Sequence, residues 1–218
     1  MSTDLFLEQS KKLREIMDKI PYDFKDKDVM ELGPLVGVHS HTLQNMGVKR
    51  VIAIEGRQQN YEECLYNKLT YNMDKCIFVL ANIKGSVIPE FKKVDICVAF
   101  RLLHHLNNPY NVIKKIAKIT DNICIYYRVA NYLSIGSCPS NIEISSHGYK
   151  GKRCIEGFNR VSGMQKYSIW LYKDDLLRLL KDVGFSIISI IEEGEEPSFI
   201  EGVNCTYIIL LASKEKIK

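Results

Sequence analysis

The sequence lacks three features that would classify it quickly: a long apolar run, a closely spaced cysteine pair and a strong excess of one charge. The longest apolar stretch, near residues 207–212, is far shorter than the about 20 residues of a membrane span. The seven cysteines form no CxxC pair, and the net charge of +4 is too small to indicate nucleic-acid binding by itself. The first residues are acidic and interrupted by charge, unlike a secretion signal. We therefore expect a cytoplasmic protein with no membrane span.

What is present is an alternation of helical patterns and short apolar runs. Apolar residues at helical spacing predict helices at 4–20, 40–46, 60–72, 109–119 and 173–183. Continuous apolar runs, typical of a sheet buried on both faces, predict strands at 29–33, 51–55, 76–80, 94–100, 123–129, 185–191 and 204–212. With 218 residues, of which 46% are hydrophobic, the chain is long enough for one well-buried domain. We expect a single α/β domain, residues 1–218, with residues 1–27 as an N-terminal helical cap.

Residues 130–168 interrupt this alternation. The stretch is rich in Ser, Asn and Gly and shows no convincing period. A loop of this length inside a compact domain is usually functional or disordered. We therefore interpret it as an insertion on the substrate side of the domain.

The ends of the first two predicted strands have the pattern of a nucleoside-binding edge. The first strand leads through Glu31 into a glycine-bearing turn, and the second ends at Glu55. A dinucleotide site would need glycine where this chain has Leu35 and Val38, which disfavours NAD(P). S-adenosylmethionine has no phosphate and therefore tolerates bulkier residues in the turn. It needs one acid near its methionine ammonium and another on its ribose diol, and the two glutamates can supply these.

Five stretches together carry a family resemblance. They are Glu31-Leu-Gly-Pro-Leu-Val-Gly37-Val-His-Ser40, Ala53-Ile-Glu55, the run from Val94 to Pro109 that contains Leu-His-His, the run from Ser168 to Leu177, and Val183-Gly-Phe185. The sequence resembles the class I S-adenosylmethionine-dependent methyltransferases, especially a bacterial subgroup with an acid-Leu-Gly-Pro-Leu first motif. The resemblance implies a methyltransferase with S-adenosylmethionine as cofactor. It also implies a Rossmann-like, seven-stranded, mostly parallel sheet flanked by helices, with the last strand antiparallel.

The resemblance also implies which residues border the cofactor. Glu31 and Gly33 would lie near its methionine end, Gly37 would keep the turn open, and Glu55 would bind the ribose. Asn82 stands where the family usually has an acid that accepts a bond from the adenine amine, and its carbonyl can accept the same bond without charge. The remaining cofactor-binding candidates are Pro34, Gly56, Ile83 and Phe100.

Two histidines follow the fourth strand, on the edge where the reactive methyl group is expected. An imidazole titrates near neutral pH and can take a proton from a hydroxyl, so His104 and His105 are candidate catalytic bases. His105 is the one that matches the family turn. The alternative is that one histidine packs under the cofactor while the other faces solvent. No metal site is expected, because His39 and His41 are not joined by the further ligands that a metal needs.

Candidate acceptor-binding residues are Arg101, which replaces a glycine common in similar sequences, and Tyr127 and Arg128 at the end of the fifth strand. The insertion is locally basic beside this edge, which favours an anionic acceptor such as a phosphate-bearing sugar. An Asp/Asn-Pro-Pro-aromatic tetrad, associated with amine acceptors, is absent after the fourth strand. The prediction is therefore methyl transfer to a hydroxyl of a small-molecule or saccharide acceptor.

Two alternatives stay open at this point. One is a methyltransferase that acts on a tRNA or a nucleotide, against which the modest charge and the lack of an appended nucleic-acid module both argue. The other is a cofactor-binding protein without catalysis, which the departures at Asn82 and Arg101 would explain. The sequence does not indicate an oligomeric state.

Overall fold

The computed structural model of the protein describes residues 3–83, 93–130, 142–157, 159–197 and 204–215. Within these ranges the chain forms five α-helices, numbered in chain order: α1 Thr3–Met17, α2 Val38–Asn45, α3 Gln58–Thr70, α4 Pro109–Ile119 and α5 Lys173–Asp182. It also forms ten strands: β1 Asp28–Leu32, β2 Arg50–Glu55, β3 Cys76–Leu80, β4 Ile96–Phe100, β5 Asn122–Arg128, β6 Glu143–Ser146, β7 Tyr149–Ile155, β8 Tyr167–Leu171, β9 Ile187–Pro197 and β10 Asn204–Ser213.

Seven strands form the main sheet, in the order β3-β2-β1-β4-β5-β10-β9. Neighbouring strands from β3 to β5 pair in parallel, and β10 runs antiparallel to both β5 and β9. The predicted Rossmann-like sheet with an antiparallel last strand is therefore confirmed. The order reverses between β1 and β4, and the carboxyl ends of the parallel strands meet at one edge, where such folds bind ligands.

Helices cover both faces of this sheet because the central strands are apolar on both sides. In β4 every residue from Ile96 to Phe100 is buried. Residues of α4 and α5 pack with one face, whereas α1 and α2 pack with the other. The strongly amphipathic helix α4 begins at Pro109, and the side chain of Asn108 accepts a hydrogen bond from the Asn111 N–H at 3.1 Å. No helix in the described ranges combines the length and apolarity needed to cross a membrane.

The predicted insertion contains regular structure that its sequence pattern did not indicate. β6, β7 and β8 form a separate three-stranded antiparallel sheet. The expectation of an aperiodic loop is thus wrong for residues 143–155 and for the start of β8, whereas residues 131–141 and 158 lie outside the described residues. The alternation of apolar and polar residues in β7 is obscured because a buried position of this strand is occupied by Lys152. The aliphatic part of a lysine side chain can make apolar contacts, although its sequence letter indicates a polar position.

The strand predicted at 185–191 is also longer than expected. β9 continues through Glu192, Glu193, Glu195 and Glu196 to Pro197, in register with β10. Acidic residues have low β propensity, so the apolar pattern stops before the strand does. This extension carries Glu196 to the carboxyl edge of the main sheet.

Candidate functional site

A cavity of about 870 Å³ lies at the carboxyl edge of the main sheet. The turns after β1, β2, β3 and β4 form one side, and helix α1 contributes residues such as Leu13 and Ile16. Residues 154–157 and 159–165 of the insertion form the other side. Most of the predicted site residues line it: Gly33, Pro34, Glu55, Gly56, Asn82, Ile83, Phe100, Arg101, His104, His105 and Arg128.

Glycine is required twice in the turn after β1, for different reasons. Gly33 lines the cavity with φ of +71°, and an added Cβ would lie 2.9 Å from the Leu102 side chain. Gly37 begins helix α2 with φ of +89°, and its Cβ would face the Phe78 ring at 3.3 Å. Both positions favour glycine because its backbone adopts positive φ without strain. Gly37 shapes the turn but does not line the cavity.

Glu31 is fully buried under this turn rather than exposed to the cavity. Its carboxylate accepts a hydrogen bond from the Ser40 hydroxyl, and its Oε1 lies 3.5 Å from Nδ1 of His39. Oε1 has no hydrogen bond within the part of the chain that the structure describes. A buried carboxylate oxygen of this kind favours a nearby cation or donor. Glu31 therefore does not line the cavity, whereas His39 beside it does.

Glu55 has the geometry of a diol-binding residue. Its Oε2 accepts the Leu35 N–H at 3.2 Å and its Oε1 accepts the Arg57 N–H at 2.9 Å. Oε1 also accepts Asn60 Nδ2, at a long 3.5 Å. Because an ionised carboxylate offers about four lone-pair sites, one remains free and the long bond to Asn60 is the weakest competitor for a ribose hydroxyl. The apolar Ile83 beside it suits a purine ring. These residues fit the nucleoside part of S-adenosylmethionine.

His104 does not fit the role of catalytic base. Burial, with the nearby His105, Arg128 and Arg101, lowers the pKa of His104 well below its ordinary value of 6.5. Its Nδ1 accepts the Arg128 N–H at 3.3 Å. Since a backbone N–H can only donate, the ring proton must lie on Nε2, which leaves no free lone pair to accept a proton. Of the two histidine candidates, the geometry therefore favours His105.

His105 lies against a carboxylate that the sequence prediction missed. Its Nδ1 is 3.0 and 3.1 Å from the two carboxylate oxygens of Glu156, which follows β7 and lines the same cavity. Burial raises the pKa of Glu156, but hydrogen bonds from His105 and from the Gly163 N–H outweigh it, so the pKa lies below its ordinary 4.5. An ionised carboxylate only accepts, so the His105 proton lies on Nδ1 and Nε2 is the basic nitrogen.

The predicted acceptor residues Arg101 and Arg128 share one acid. Arg101 donates to Glu196 and to the Tyr126 hydroxyl, the latter at 2.9 Å, while Arg128 Nε donates to Glu196 at 2.6 Å. Arg101 has φ of +55°, in the left-handed region that favours glycine, and its side chain is 51% exposed. This positive φ explains why similar sequences often have glycine at position 101. An arginine at this position has a strained backbone.

Tyr127 is a wrong prediction for the acceptor pocket. The residue is fully buried, and its hydroxyl donates to the Ile169 carbonyl at 3.0 Å and accepts the Leu171 N–H at 3.1 Å. Successive side chains of a strand point to opposite faces, so Tyr126 lines the cavity instead. Tyr127 joins the main sheet to the second sheet.

The basic run of the insertion does not line the cavity as a patch. The five basic residues between 145 and 170 are Lys150, Lys152, Arg153, Arg160 and Lys166. Of these, only Arg160 lines the cavity, and it pairs with Glu63 at 2.5 Å. Arg153 stacks on the Tyr167 ring at 4.5 Å. The antiparallel pairing of β7 with β8 directs these side chains elsewhere, so the run does not supply the positive acceptor surface that its charge suggested.

Comparison with known proteins shows what this chain is similar to. Residues 30–122, somewhat under half of the chain, match the family model described as "Methyltransferase domain". No curated protein sequence matches the chain significantly. The crystal structure of the N-terminal domain of EvdMO1 in the presence of SAH and D-fucose is 18% identical, with 94% of this chain and 82% of that chain covered and a TM-score of 0.75.

Two further solved structures share the fold. An O-methyltransferase family protein from Burkholderia thailandensis is 12% identical, with 99% of this chain and 59% of that chain covered and a TM-score of 0.65. An S-adenosylmethionine-dependent methyltransferase from Clostridium acetobutylicum ATCC 824 is 10% identical, with 96% and 92% covered and a TM-score of 0.63. At these identities the structures show the fold. Residues 30–122 match a methyltransferase domain, and the chain has the fold of the S-adenosylmethionine-dependent methyltransferases that its motifs resemble.

Proposed function

We propose that the protein transfers a methyl group from S-adenosylmethionine to a hydroxyl of a small-molecule or saccharide acceptor. One observation carries this proposal: a single cavity joins the diol-competent carboxylate of Glu55 to the basic nitrogen of His105. The first is the group that a nucleoside cofactor needs, and the second is the group that a hydroxyl acceptor needs.

The cofactor is held by the turns at the strand ends. In the proposed arrangement Glu55 accepts the ribose hydroxyls, Asn82 meets the adenine edge, and Gly33 and Gly56 let the ligand approach the backbone. The buried charge of Glu31 favours the positively charged methionine end through His39. When bound, the cofactor supplies a methyl group on a sulfonium, whose C–S electron pair leaves with the sulfur.

The acceptor is activated by His105. Its Nε2 takes the proton of the acceptor hydroxyl as the oxygen forms its bond to the methyl carbon, and the resulting imidazolium is stabilised by Glu156. Most of the rate acceleration comes from holding the two reactants in line, and the base adds about 10²- to 10⁴-fold.

The acceptor side of the cavity favours a polyhydroxylated ligand. Tyr126, Glu196 and Arg101 offer donors and acceptors within one cluster, which suits hydroxyl groups at several positions. The D-fucose in the EvdMO1 structure supports a sugar acceptor by analogy of fold. An anionic group on the acceptor would contact Arg101, the more exposed of the two arginines, and would compete there with Glu196.

The test is S-adenosylhomocysteine formation against a panel of free sugars, nucleotide sugars, sugar phosphates and a short RNA. We expect turnover with a sugar class, and a kcat about 10²- to 10⁴-fold lower in the His105→Ala variant. The matched control is His147→Ala, in the turn between β6 and β7 and outside the cavity, which is expected to retain full activity.

Three results would overturn the proposal. Cofactor binding by calorimetry without methylated product from any acceptor would favour a binding protein without catalysis. Turnover with the RNA alone would favour nucleic-acid modification. Unchanged turnover in His105→Ala would remove the base from the mechanism.

A further inference from the structure

A short segment of the insertion touches both halves of the cavity. We define residues 159–165 as the crossing segment. On the cofactor side, Met164 lies so close that its Sδ would be 2.6 Å from a Cβ added to Gly56. On the acceptor side, the Gly163 N–H donates to Glu156 at 2.5 Å. The segment therefore spans from the nucleoside-binding turn to the carboxylate that contacts His105.

Three side chains on the cofactor side hold the crossing segment, one of them Glu63 through its ion pair with Arg160. Arg57 Nη2 donates to the carbonyls of Ser162 and Gly163, at 3.0 and 3.1 Å. Asn60 Nδ2 donates to the Arg160 carbonyl at 3.1 Å. Arg57 directly follows the turn after β2, and its own N–H is bound by Glu55 at 2.9 Å. A guanidinium that bridges two successive carbonyls fixes the local backbone more firmly than a single bond does.

We propose that Glu156 is a positioning residue for His105, and that Arg57 keeps Glu156 in place by holding the crossing segment. The inference rests on the proposed role of His105 as the base. The connection runs from Glu55 through Arg57 to the segment, and from Gly163 through Glu156 to the imidazole. The cofactor-binding turn and the base are thus parts of one hydrogen-bonded assembly.

The physical reason lies in the tautomer of the imidazole. A carboxylate that accepts a hydrogen bond from Nδ1 leaves Nε2 unprotonated and fixes the ring plane. A neutral amide in its place can both donate and accept, and can therefore pair with either tautomer of the imidazole. The charged and titratable groups that face His105 are Glu156 and the neighbouring His104, whose ring centroid is 4.4 Å away. Since His104 is held neutral, Glu156 supplies the nearby charge that stabilises the imidazolium.

The first test replaces the carboxylate with its amide. Glu156→Gln is expected to lower kcat at least about tenfold, while cofactor affinity stays within about twofold. The acidic limb of the kcat/KM profile is expected to move to lower pH, because the imidazolium loses its neighbouring anion. Glu156→Asp should recover part of the rate. The matched control is Glu193→Gln, which removes a surface partner of Lys173.

The second test removes the support. Arg57→Ala is expected to lower kcat in the same direction as Glu156→Gln. The double variant should be about as slow as the slower single variant, because both changes act through one imidazole. Nitrogen-15 NMR of the histidines should show a single Nδ1–H tautomer for His105 in the wild type and a mixture in both variants.

The outcomes separate this inference from the proposed function. If His105→Ala keeps its turnover, the base itself is wrong. If His105→Ala is inactive while Glu156→Gln keeps the wild-type rate, pH profile and tautomer, only the positioning role is wrong. If the effects of Arg57→Ala and Glu156→Gln multiply in the double variant, Arg57 acts on the cofactor alone and the proposed support is wrong.

Discussion

The two sides of the cavity are built from different kinds of sequence. The cofactor side consists of turns after buried parallel strands, where Gly33 and Glu55 occupy positions that the backbone geometry dictates. The acceptor side consists of the second sheet and the end of β9, where Glu156 and Glu196 reach the site by tertiary packing. In the proposed function, turns of the main sheet therefore bind the cofactor, whereas elements added to this sheet bind the acceptor.

The largest effect expected on the cofactor side is on cofactor affinity. Glu55→Gln is expected to weaken S-adenosylmethionine binding about 10- to 100-fold, because it replaces a charged acceptor of the ribose hydroxyls with a neutral one. Turnover at saturating cofactor should change little. Calorimetry and steady-state kinetics measure the two quantities separately. An unchanged dissociation constant would remove Glu55 from the cofactor site.

A smaller effect is expected at the strained arginine. Arg101→Gly removes the exposed cation from the acceptor side, and we expect the KM of an anionic acceptor to rise about fivefold. The unfolding free energy should stay within about 1 kcal/mol, because glycine adopts the positive φ without strain. Arg50→Ala, at the opposite end of the sheet, is the control. An equal KM for neutral and anionic acceptors in the wild type would contradict a role in charge recognition.

The adjacent tyrosines of β5 test the assignment of faces. Tyr127→Phe is expected to lower the unfolding free energy by about 1–3 kcal/mol, because the Leu171 N–H loses its buried acceptor. Its acceptor KM should not change. Tyr126→Phe should have the reverse profile, with a raised acceptor KM and little loss of stability. Urea denaturation measures the stability of both variants, and steady-state kinetics measures their acceptor KM. A raised KM in Tyr127→Phe, with the stability loss in Tyr126→Phe, would mean that Tyr127 lines the cavity and Tyr126 does not.

The smallest effect is on the pH dependence of stability. Because the pKa of Glu156 is lowered in the folded protein, its ionised form stabilises the fold at pH values above the ordinary 4.5. This contribution is lost as the pH falls below that value through the folded pKa. Wild type should therefore lose more unfolding free energy between neutral pH and about pH 3 than Glu156→Gln does. Parallel curves for the two proteins would mean that the pKa of the carboxyl is the same in the folded and unfolded states.

The same contrast explains what could be predicted from the sequence. The strands that carry the cofactor site are buried on both faces, so their apolar runs and terminal acids were visible. The pattern of β7 is obscured by Lys150, Lys152 and Arg153, and β6 is short and half-exposed. Glu196 was missed because the acidic half of β9 has little strand character. One sequence feature marks Glu156, because it is the only acidic residue between residues 145 and 170. Its contact with His105 could not be predicted, since the two residues are 51 positions apart in sequence.

The sequence also could not indicate which of two adjacent residues of the same type is oriented for a role in the cavity. Tyr126 and Tyr127 differ by one step on a strand, and only the packing of the second sheet decides which of them lines the cavity. His104 and His105 form a similar pair, in which a backbone N–H and a carboxylate assign different tautomers to the two rings. In both cases the residue type was correctly expected at the edge, whereas its orientation depends on distant parts of the chain.

The most direct test of the division between the two sides is calorimetry of S-adenosylmethionine binding to Glu55→Gln and His105→Ala, measured beside the turnover of each. We predict that His105→Ala binds the cofactor as wild type does but loses turnover about 10²- to 10⁴-fold. Glu55→Gln should bind weakly and turn over normally at saturation. Loss of cofactor affinity in His105→Ala, or loss of saturated turnover in Glu55→Gln, would contradict the division.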